Sequence, residues 1–222
     1  MLDCCALTAQ YRDRLRTALR VVEPTDPADE PITLQEAWHH LRIDAYGSPL
    51  ASDDDEWLLN IGIPAARQWA EGYTGLALAP QTLELVADTF PEEYFELPGG
   101  PVQSVQSINY IDDASSPQQQ VFTDYQLNIY ADPPQLLPAT GFEWPVGNGA
   151  ENSVKVRYVV GYSRTGYSPL GYVLMPRLKI GILLLLGHLY ENREDTSTLN
   201  LNLIPNGARS FLDFDRVRKG FA

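Results

Sequence analysis

The sequence predicts an α+β fold, in which helices from the N-terminal and C-terminal parts form a core and an antiparallel β block of hairpins is inserted between them. Three observations lead to this prediction. Apolar residues recur at helical spacing before residue 75, alternating and β-branched runs separated by turn clusters fill the middle, and an apolar helical segment follows. We therefore expect an N-terminal extension and linker at 1–30, a first helical part at 31–80, the β insertion at 81–162, and a second helical part with a C-terminal tail at 163–222.

The first predicted elements lie before residue 45. Residues 1–20 are expected to form a polar helix, and the proline-rich run 23–31 is expected to be a linker, because proline disfavours helix in the residue before it. Thr33 and Glu36 have the spacing of a capping box, in which each side chain accepts a hydrogen bond from the backbone of the other residue. A short amphipathic helix is therefore predicted at 33–42.

A second helix is predicted to begin at Ser52 or Asp53. The acidic residues that follow complement the positive end of the helix dipole. Pro64 should kink the helix, and Gly72 and Gly75 should mark its end. Its apolar face is expected to consist of Leu58, Ile61, Ala65 and Trp69.

The middle of the chain contains runs of alternating or β-branched residues, which are typical of strands. Clusters of Gly, Pro, Asp and Ser separate these runs and indicate hairpin turns. The predicted strands are 81–89, 94–97, 102–111, 125–129 and 153–160.

Helix is predicted again at 174–193, which is apolar nearly all round and should form a central buried helix. Pro176 suits the first turn of this helix. Gly187 lies inside it, and a glycine that weakens a helix suggests that another helix packs closely there. A last short helix is expected at 207–217.

Composition and charge narrow the classes of function. The net charge of −13 argues against tight binding of nucleic acid, which usually relies on a basic patch. No apolar run approaches the length of a membrane span, and the N-terminus lacks the apolar region of a secretory signal. The adjacent Cys4 and Cys5 are poorly placed for a structural disulfide or for a metal site.

Catalytic motifs are also missing from the sequence. It contains no nucleophile elbow, phosphate-binding loop, zinc-protease motif or dinucleotide fingerprint. His39 and His40 are consecutive and point apart on a helix, and His188 is interpreted as a core or interface residue. The acidic run 53–56 is explained by helix capping rather than by metal binding. We therefore expect no enzyme activity, no cofactor and no metal.

Several segments resemble the head–tail connector (adaptor) family of tailed bacteriophages, in the variety with a β insertion. The resemblance covers about residues 19–217, and GHLYENRE is its most specific motif. The matching segments are LRVV at 19–22, PITLQEA at 31–37, HLRID at 40–44, DDEWLLNI at 54–61, AARQWAEGYTG at 65–75, LPGGPVQSV at 97–105, VKVRYVVGY at 154–162, ILLLL at 182–186, GHLYENRE at 187–194, PNGARSFL at 205–212 and DRV at 215–217.

The resemblance implies a structural role in the neck of a virion, reached through the host cytoplasm during assembly. Subunits of this family form a ring, typically of twelve, that docks under the portal protein, extends the DNA channel and receives neck or tail-completion proteins. Such a ring needs two different complementary faces on each subunit. The alternatives are another neck component, such as a tail-completion protein, and a phage-derived enzyme that uses His188 and Glu191.

Two sets of residues are candidates for this role. Apolar residues near the C-terminus could contact the portal or a neighbouring subunit, or could pack on their own subunit: Phe211, Leu212, Phe214, Val217 and Phe221. Acidic residues could line a channel through which DNA passes without specific binding: Asp53, Asp54, Asp112, Asp113, Glu194 and Asp195. The alternative for the charge is that it keeps the protein soluble before assembly.

Overall fold

The computed structural model describes residues 17–43, 53–112, 119–163, 172–192 and 206–217. It has the predicted α+β fold with an antiparallel β block. The chain divides into two compact units: the β unit takes Met1–Pro24 and Gln81–Val160, and the helical unit takes Thr25–Pro80 and Gly161–Ala222.

The described part of the β unit forms two antiparallel sheets. The larger contains β1 (Thr17–Glu23), β2 (Gln81–Ala87), β4 (Val102–Ile111), β5 (Gln119–Val121) and β8 (Val154–Val160), in the order β1-β2-β8-β4-β5. The smaller contains β3 (Phe95–Glu96), β6 (Tyr125–Asn128) and β7 (Gln135–Pro138), in the order β3-β7-β6.

The core of the β unit includes the paired strands β2 and β8. Their register places Leu83 opposite Tyr158 and Leu85 opposite Val156, and all four side chains are buried. The Tyr158 hydroxyl donates a hydrogen bond to the carbonyl oxygen of Pro98 at 2.9 Å, and burial raises the pKa of this tyrosine. The alternation of buried and exposed residues along β8 is the pattern expected of a strand with one face in a core.

Strands form at all five predicted positions, and three further strands were not predicted. These are β1, β5 and β7. The prediction of a helix over residues 1–20 is wrong for residues 17–20, which belong to β1; residues 1–16 lie outside the described residues. Seven-residue β1 pairs with β2, which lies more than 60 positions along the chain, as in Leu19 opposite Leu85. Pairing with a strand distant in sequence therefore outweighs the predicted preference of residues 17–20 for helix.

Glu84 of β2 joins three neighbouring strands of the larger sheet through its carboxylate. The side chain is almost fully buried and forms ion pairs with Arg20 of β1 and Arg157 of β8. The nitrogen Nε of Arg157 donates to it at 2.6 Å, and Nε of Arg20 donates at 2.9 Å. Burial alone would raise the pKa of Glu84, but the hydrogen bonds from Arg157 and Arg20 outweigh it and lower that pKa.

The helical unit contains α1 (Leu34–Leu41), α2 (Asp53–Trp57), a π-helical turn (Leu58–Gly62), α3 (Ile63–Thr74), α4 (Pro176–Glu191) and α5 (Asn206–Leu212). Short 3-10 turns lie at Pro27–Asp29 and Asp213–Asp215. The predicted capping box is present at the start of α1. The Thr33 hydroxyl accepts from the Glu36 backbone N–H at 3.1 Å, and the Thr33 N–H donates to the Glu36 carboxylate at 2.9 Å.

The predicted second helix contains a π-helical turn just before Pro64. Pro64 lies in the first turn of α3, where its missing N–H is tolerated. The Ile63 N–H donates to the carbonyl of Leu58, five residues earlier, instead of four. The wider turn changes which side chains face the core: Leu58 is fully buried, but Ile61 is 55% exposed. The prediction that Ile61 belongs to the apolar face is therefore wrong.

The segment predicted as a linker contributes a buried residue to the helical unit. Glu30 accepts two hydrogen bonds from the guanidinium of Arg67, at 2.9 and 3.1 Å. Arg67 also donates to Glu71 at 2.7 Å, and Glu71 accepts from the N–H of Leu78 at 2.8 Å. Burial raises the pKa of Glu71, against the opposing effect of Arg67. This network fixes the segment before α1 and the segment after α3 to the same helix.

Helix α4 is the central helix, as predicted, and its closest contact with another helix is at Gly181. A Cβ atom at Gly181 would lie 2.9 Å from the side chain of the fully buried Leu212 of α5. At Gly187, where close packing was predicted, a Cβ atom would have ordinary contacts, the nearest being 3.5 Å from the His40 ring. The glycine required by packing is therefore Gly181.

Gly181→Ala should destabilise the protein by about 1–3 kcal/mol, because the new methyl group meets a leucine that has no space to move into. Gly187→Ala is the matched control and should be neutral or stabilising by up to about 1 kcal/mol, since alanine favours helix and the site has room. Thermal unfolding followed by circular dichroism distinguishes the two variants. Equal melting temperatures would contradict this account of the α4–α5 contact.

Candidate functional site

Helix α4 has different elements at its two ends. It has 16 residues and is therefore about 24 Å long. α5 runs from the middle of α4 toward its N-terminus, since Gly207 faces Leu184 and Leu212 faces Gly181. The π-helical turn lies beside its C-terminal half, where a Cβ atom at Gly62 would be 3.1 Å from Leu186. Trp57 and Tyr190 make an edge-to-face contact at the same end.

The C-terminal segment 206–217 is fixed to the helical unit by polar contacts. The hydroxyl of Tyr73 donates to Asp213 at 2.6 Å, and this hydrogen bond raises the pKa of Tyr73. Nε of Arg177 donates to Asp215 at 2.5 Å, and the N–H of Val217 donates to the carbonyl of Thr74 at 2.8 Å. The segment therefore has a defined position on α3 and α4.

The predicted contact residues of this segment fall into two groups. Phe211, Phe214 and Val217 are exposed, and Phe214 has the highest exposure of the three at 79%. Leu212 is fully buried against Gly181 of α4, so its proposed role as a contact for a partner is wrong. Its side chain points in a different direction from that of Phe211, because an α-helix turns by about 100° per residue. Phe221 lies outside the described residues.

Positive charge accompanies the exposed phenylalanines. Arg209 is exposed, and the guanidinium of Arg216 lies 4.8 Å from the centre of the Tyr73 ring. Within the described ranges, neither arginine forms an ion pair with a carboxylate. An open depression of 370 Å³ is lined by Ser210, Asp213, Phe214 and Arg216. We call the exposed residues Arg209, Phe211, Phe214, Arg216 and Val217 the basic end.

The opposite end of α4 carries exposed apolar and acidic residues. Leu59 is 43% exposed, Ile61 is 55% exposed and Leu189 is also exposed. Glu56 and Glu191 are exposed and form no ion pair within the part of the chain that the structure describes. We call these five residues the acidic end. Regular helical periodicity does not predict the exposure of Ile61, because the π-helical turn changes the spacing.

The predicted channel acids are not brought together in the described residues. Asp112 is half-buried and pairs with Gly147 in an isolated bridge of the β unit. Asp53 and Asp54 lie in the first turn of α2, where only the backbone is described. Asp113, Glu194 and Asp195 lie outside the described residues.

The described residues give no combination of side chains that points to catalysis. His188 contacts Asn192 at 3.2 Å through its Nδ1 atom. His40 lies against the backbone of Gly187. Across 17–43, 53–112, 119–163, 172–192 and 206–217, no three His, Cys, Asp or Glu side chains lie together as a metal-binding group. Over the same ranges, no helix has both the length and the apolar character required to cross a membrane.

Leu212 and Phe214 in the C-terminal segment should respond differently to truncation to alanine. Leu212→Ala should destabilise the protein by about 2–5 kcal/mol, because it leaves a cavity against α4. Phe214→Ala should change the free energy of unfolding by less than about 0.5 kcal/mol, because the ring is mostly in solvent. Denaturant unfolding measures both values. A large loss of stability in Phe214→Ala would show that the ring packs on its own subunit.

Comparisons with known proteins identify structural relatives. No model of a known family matches the sequence, and no curated protein matches it. A chain from the neck of an empty GTA particle, computed with C6 symmetry, superposes with a TM-score of 0.69 at 20% identity, covering 91% of this chain and 96% of that chain. A chain from the virion of a native gene transfer agent (GTA) particle gives a TM-score of 0.66 at 21% identity, covering 90% and 96%.

A third solved structure agrees with these two. A chain from the neck of a native GTA particle, computed with C12 symmetry, superposes with a TM-score of 0.63 at 20% identity and covers 91% of this chain and 96% of that chain. The protein therefore shares its fold with chains of GTA necks and virions, over nearly the full length of both.

Proposed function

We propose that this protein is a structural subunit of the head–tail connector ring in the neck of a tailed phage or phage-like particle. The observation that carries the proposal is the match to a neck chain over 91% of this chain and 96% of that chain. A match of this extent includes the β unit as well as the helical unit. The sequence motifs between residues 19 and 217 support the same class of protein independently of the coordinates.

The proposed subunit acts as one member of a ring around the axis of the neck. Two of the similar chains come from necks computed with C6 and C12 symmetry, which supports repetition around an axis. In this proposal the ring docks under the portal protein, and its other side receives neck or tail-completion proteins. The surfaces of the helical unit are suited to protein contacts, because they combine exposed apolar side chains with charge.

A protein that binds directly under the portal should attach to heads. Purified, gold-labelled protein mixed with tailless heads that lack the neck should appear at one vertex of each head in electron micrographs. The matched sample contains isolated tails, which should remain unlabelled. Attachment to tails instead of heads would favour a tail-completion protein, and attachment to neither would contradict a role at the head–tail junction.

We further propose that DNA passes through this ring without specific binding. This proposal rests on the net charge of −13 on each subunit, which adds up over the copies in a ring. Negative surfaces repel the phosphate backbone, whereas lysine and arginine would release counterions and hold the DNA. Among the candidate channel acids, Asp112 is the one whose side chain the structure describes.

Assembled wild-type rings should bind linear duplex DNA no more than a neutral control does, even at low salt. Asp112→Lys should create salt-sensitive binding if this residue faces the channel. Glu143→Lys, at an exposed position of the same unit, is the charge-matched control. Tight binding by wild-type rings would contradict the proposed channel, and equal gains in both variants would show that net charge alone is responsible. Filter binding at several salt concentrations provides the measurement.

A further inference from the structure

The two ends of α4 differ in charge. Residues 53–62 and 186–192, which form the surroundings of its C-terminus, contain no lysine or arginine and five acidic residues: Asp53, Asp54, Asp55, Glu56 and Glu191. Residues 172–177 and 206–217, around its N-terminus, contain three arginines and two aspartates, Arg177, Arg209, Arg216, Asp213 and Asp215. The dipole of α4 has the same sense, with its positive pole at the basic end and its negative pole at the acidic end.

The acidic and basic ends also carry matching apolar side chains. Phe214 is 79% exposed at the basic end, beside the open depression. Leu59 and Ile61 are exposed at the acidic end. Exposed apolar groups surrounded by polar residues commonly mark protein contacts. Phe214 lies on a segment with the exposed Arg209 and Arg216, whereas Leu59 and Ile61 lie in a region without lysine or arginine.

The position of the two ends on one helix determines which partner fits. Phe214 follows α5, which lies beside Gly181 and leads to the contact of Asp215 with Arg177, whereas Leu59 and Ile61 belong to the turn beside Leu186. A twofold dimer with antiparallel α4 helices would also pair basic with acidic ends, but it uses both ends of both copies and stops at two subunits. A head-to-tail arrangement brings the basic end of one copy against the acidic end of the next, and repetition of this contact can close a ring.

We infer that the basic end of each subunit docks on the acidic end of the neighbouring copy, with Phe214 packed against Leu59 and Ile61. This inference rests on the proposed ring and names the surfaces that build it. The occupant is a second copy of this chain rather than the portal, because the complementary surface is present on the chain itself. Charge attraction orients the two copies, and burial of the apolar side chains holds them together.

Disulfide cross-linking tests the contact directly. In a Cys4→Ser/Cys5→Ser background, Phe214→Cys combined with Ile61→Cys is bound to neckless heads and oxidised. Subunits should become linked into a ladder that extends beyond dimers on non-reducing gels, because each copy has one cysteine at each proposed face. The control pair combines Phe214→Cys with Tyr130→Cys, an exposed residue of the β unit, and should give no ladder. Head binding without a ladder from the first pair would overturn the inference and leave the connector function intact.

Charge reversal provides a second test that does not depend on cysteine geometry. Arg209→Glu and Glu56→Arg should each weaken association between subunits at least tenfold at low salt, because each places like charges at the contact. The double variant should recover most of the association, since both faces are then reversed and again complementary. Analytical ultracentrifugation measures the association, and circular dichroism confirms folding. Failure of the double variant to recover, with folding intact, would also overturn the inference.

Discussion

The helical unit depends on covering the apolar stripe of α4, whose buried residues are Leu178, Gly181, Ile182, Leu185 and Leu186. A helix with Leu, Ile and Gly around most of its circumference is stable in water only if other elements bury it. The cover comes from α1, the π-helical turn and α3 before the β block and from α5 after it, so segments on both sides of the insertion are required. Gly181 allows α5 to come close, and the chain that follows α5 is then fixed by Asp213, Asp215 and Val217.

The chain leaves the helical unit after Pro80 and re-enters it at Gly161. The first residue of β2, Gln81, is paired with the last residue of β8, Val160. The chain therefore departs and returns at neighbouring points. Gly161 has a φ of +105°, and a Cβ atom there would lie 2.0 Å from the carbonyl oxygen of Ala79. Glycine is therefore needed at position 161, where the chain that follows β8 passes close to Ala79, just before β2.

The features that the sequence predicted well have local causes. The capping box of α1 needs residues three positions apart, and the burial of α4 follows from its composition. The features that were missed depend on distant partners. β1 forms because β2 pairs with it, and Glu30 is buried because Arg67 of α3 binds it. Neither of these contacts can be predicted from a short stretch of sequence. The π-helical turn was missed because Pro64 predicted a kink without predicting the extra residue that exposes Ile61.

The candidate surface was likewise predictable only where its features have local causes. Apolar residues near the C-terminus were recognisable from composition, but the direction of each side chain was not. Positions only two residues apart, at the end of α5 and in the turn after it, face different ways, so Leu212 is core and Phe214 is surface. The acidic end could not be recognised at all, because it combines a helix near residue 60 with another near residue 190. The predicted channel acids shared only their charge, and charge alone does not determine position.

The participation of β1 in the sheet has a consequence for synthesis on the ribosome. Every strand of the β unit precedes residue 161, whereas α4 begins at Pro176. The sheet can therefore be completed while α1 and α3 still wait for the helix that will cover their apolar faces. Domains tend to fold in the order in which they emerge. The first helical segment consequently passes through a period in which its apolar face is uncovered after the sheet is complete, and transiently exposed apolar surface of this kind is prone to aggregation.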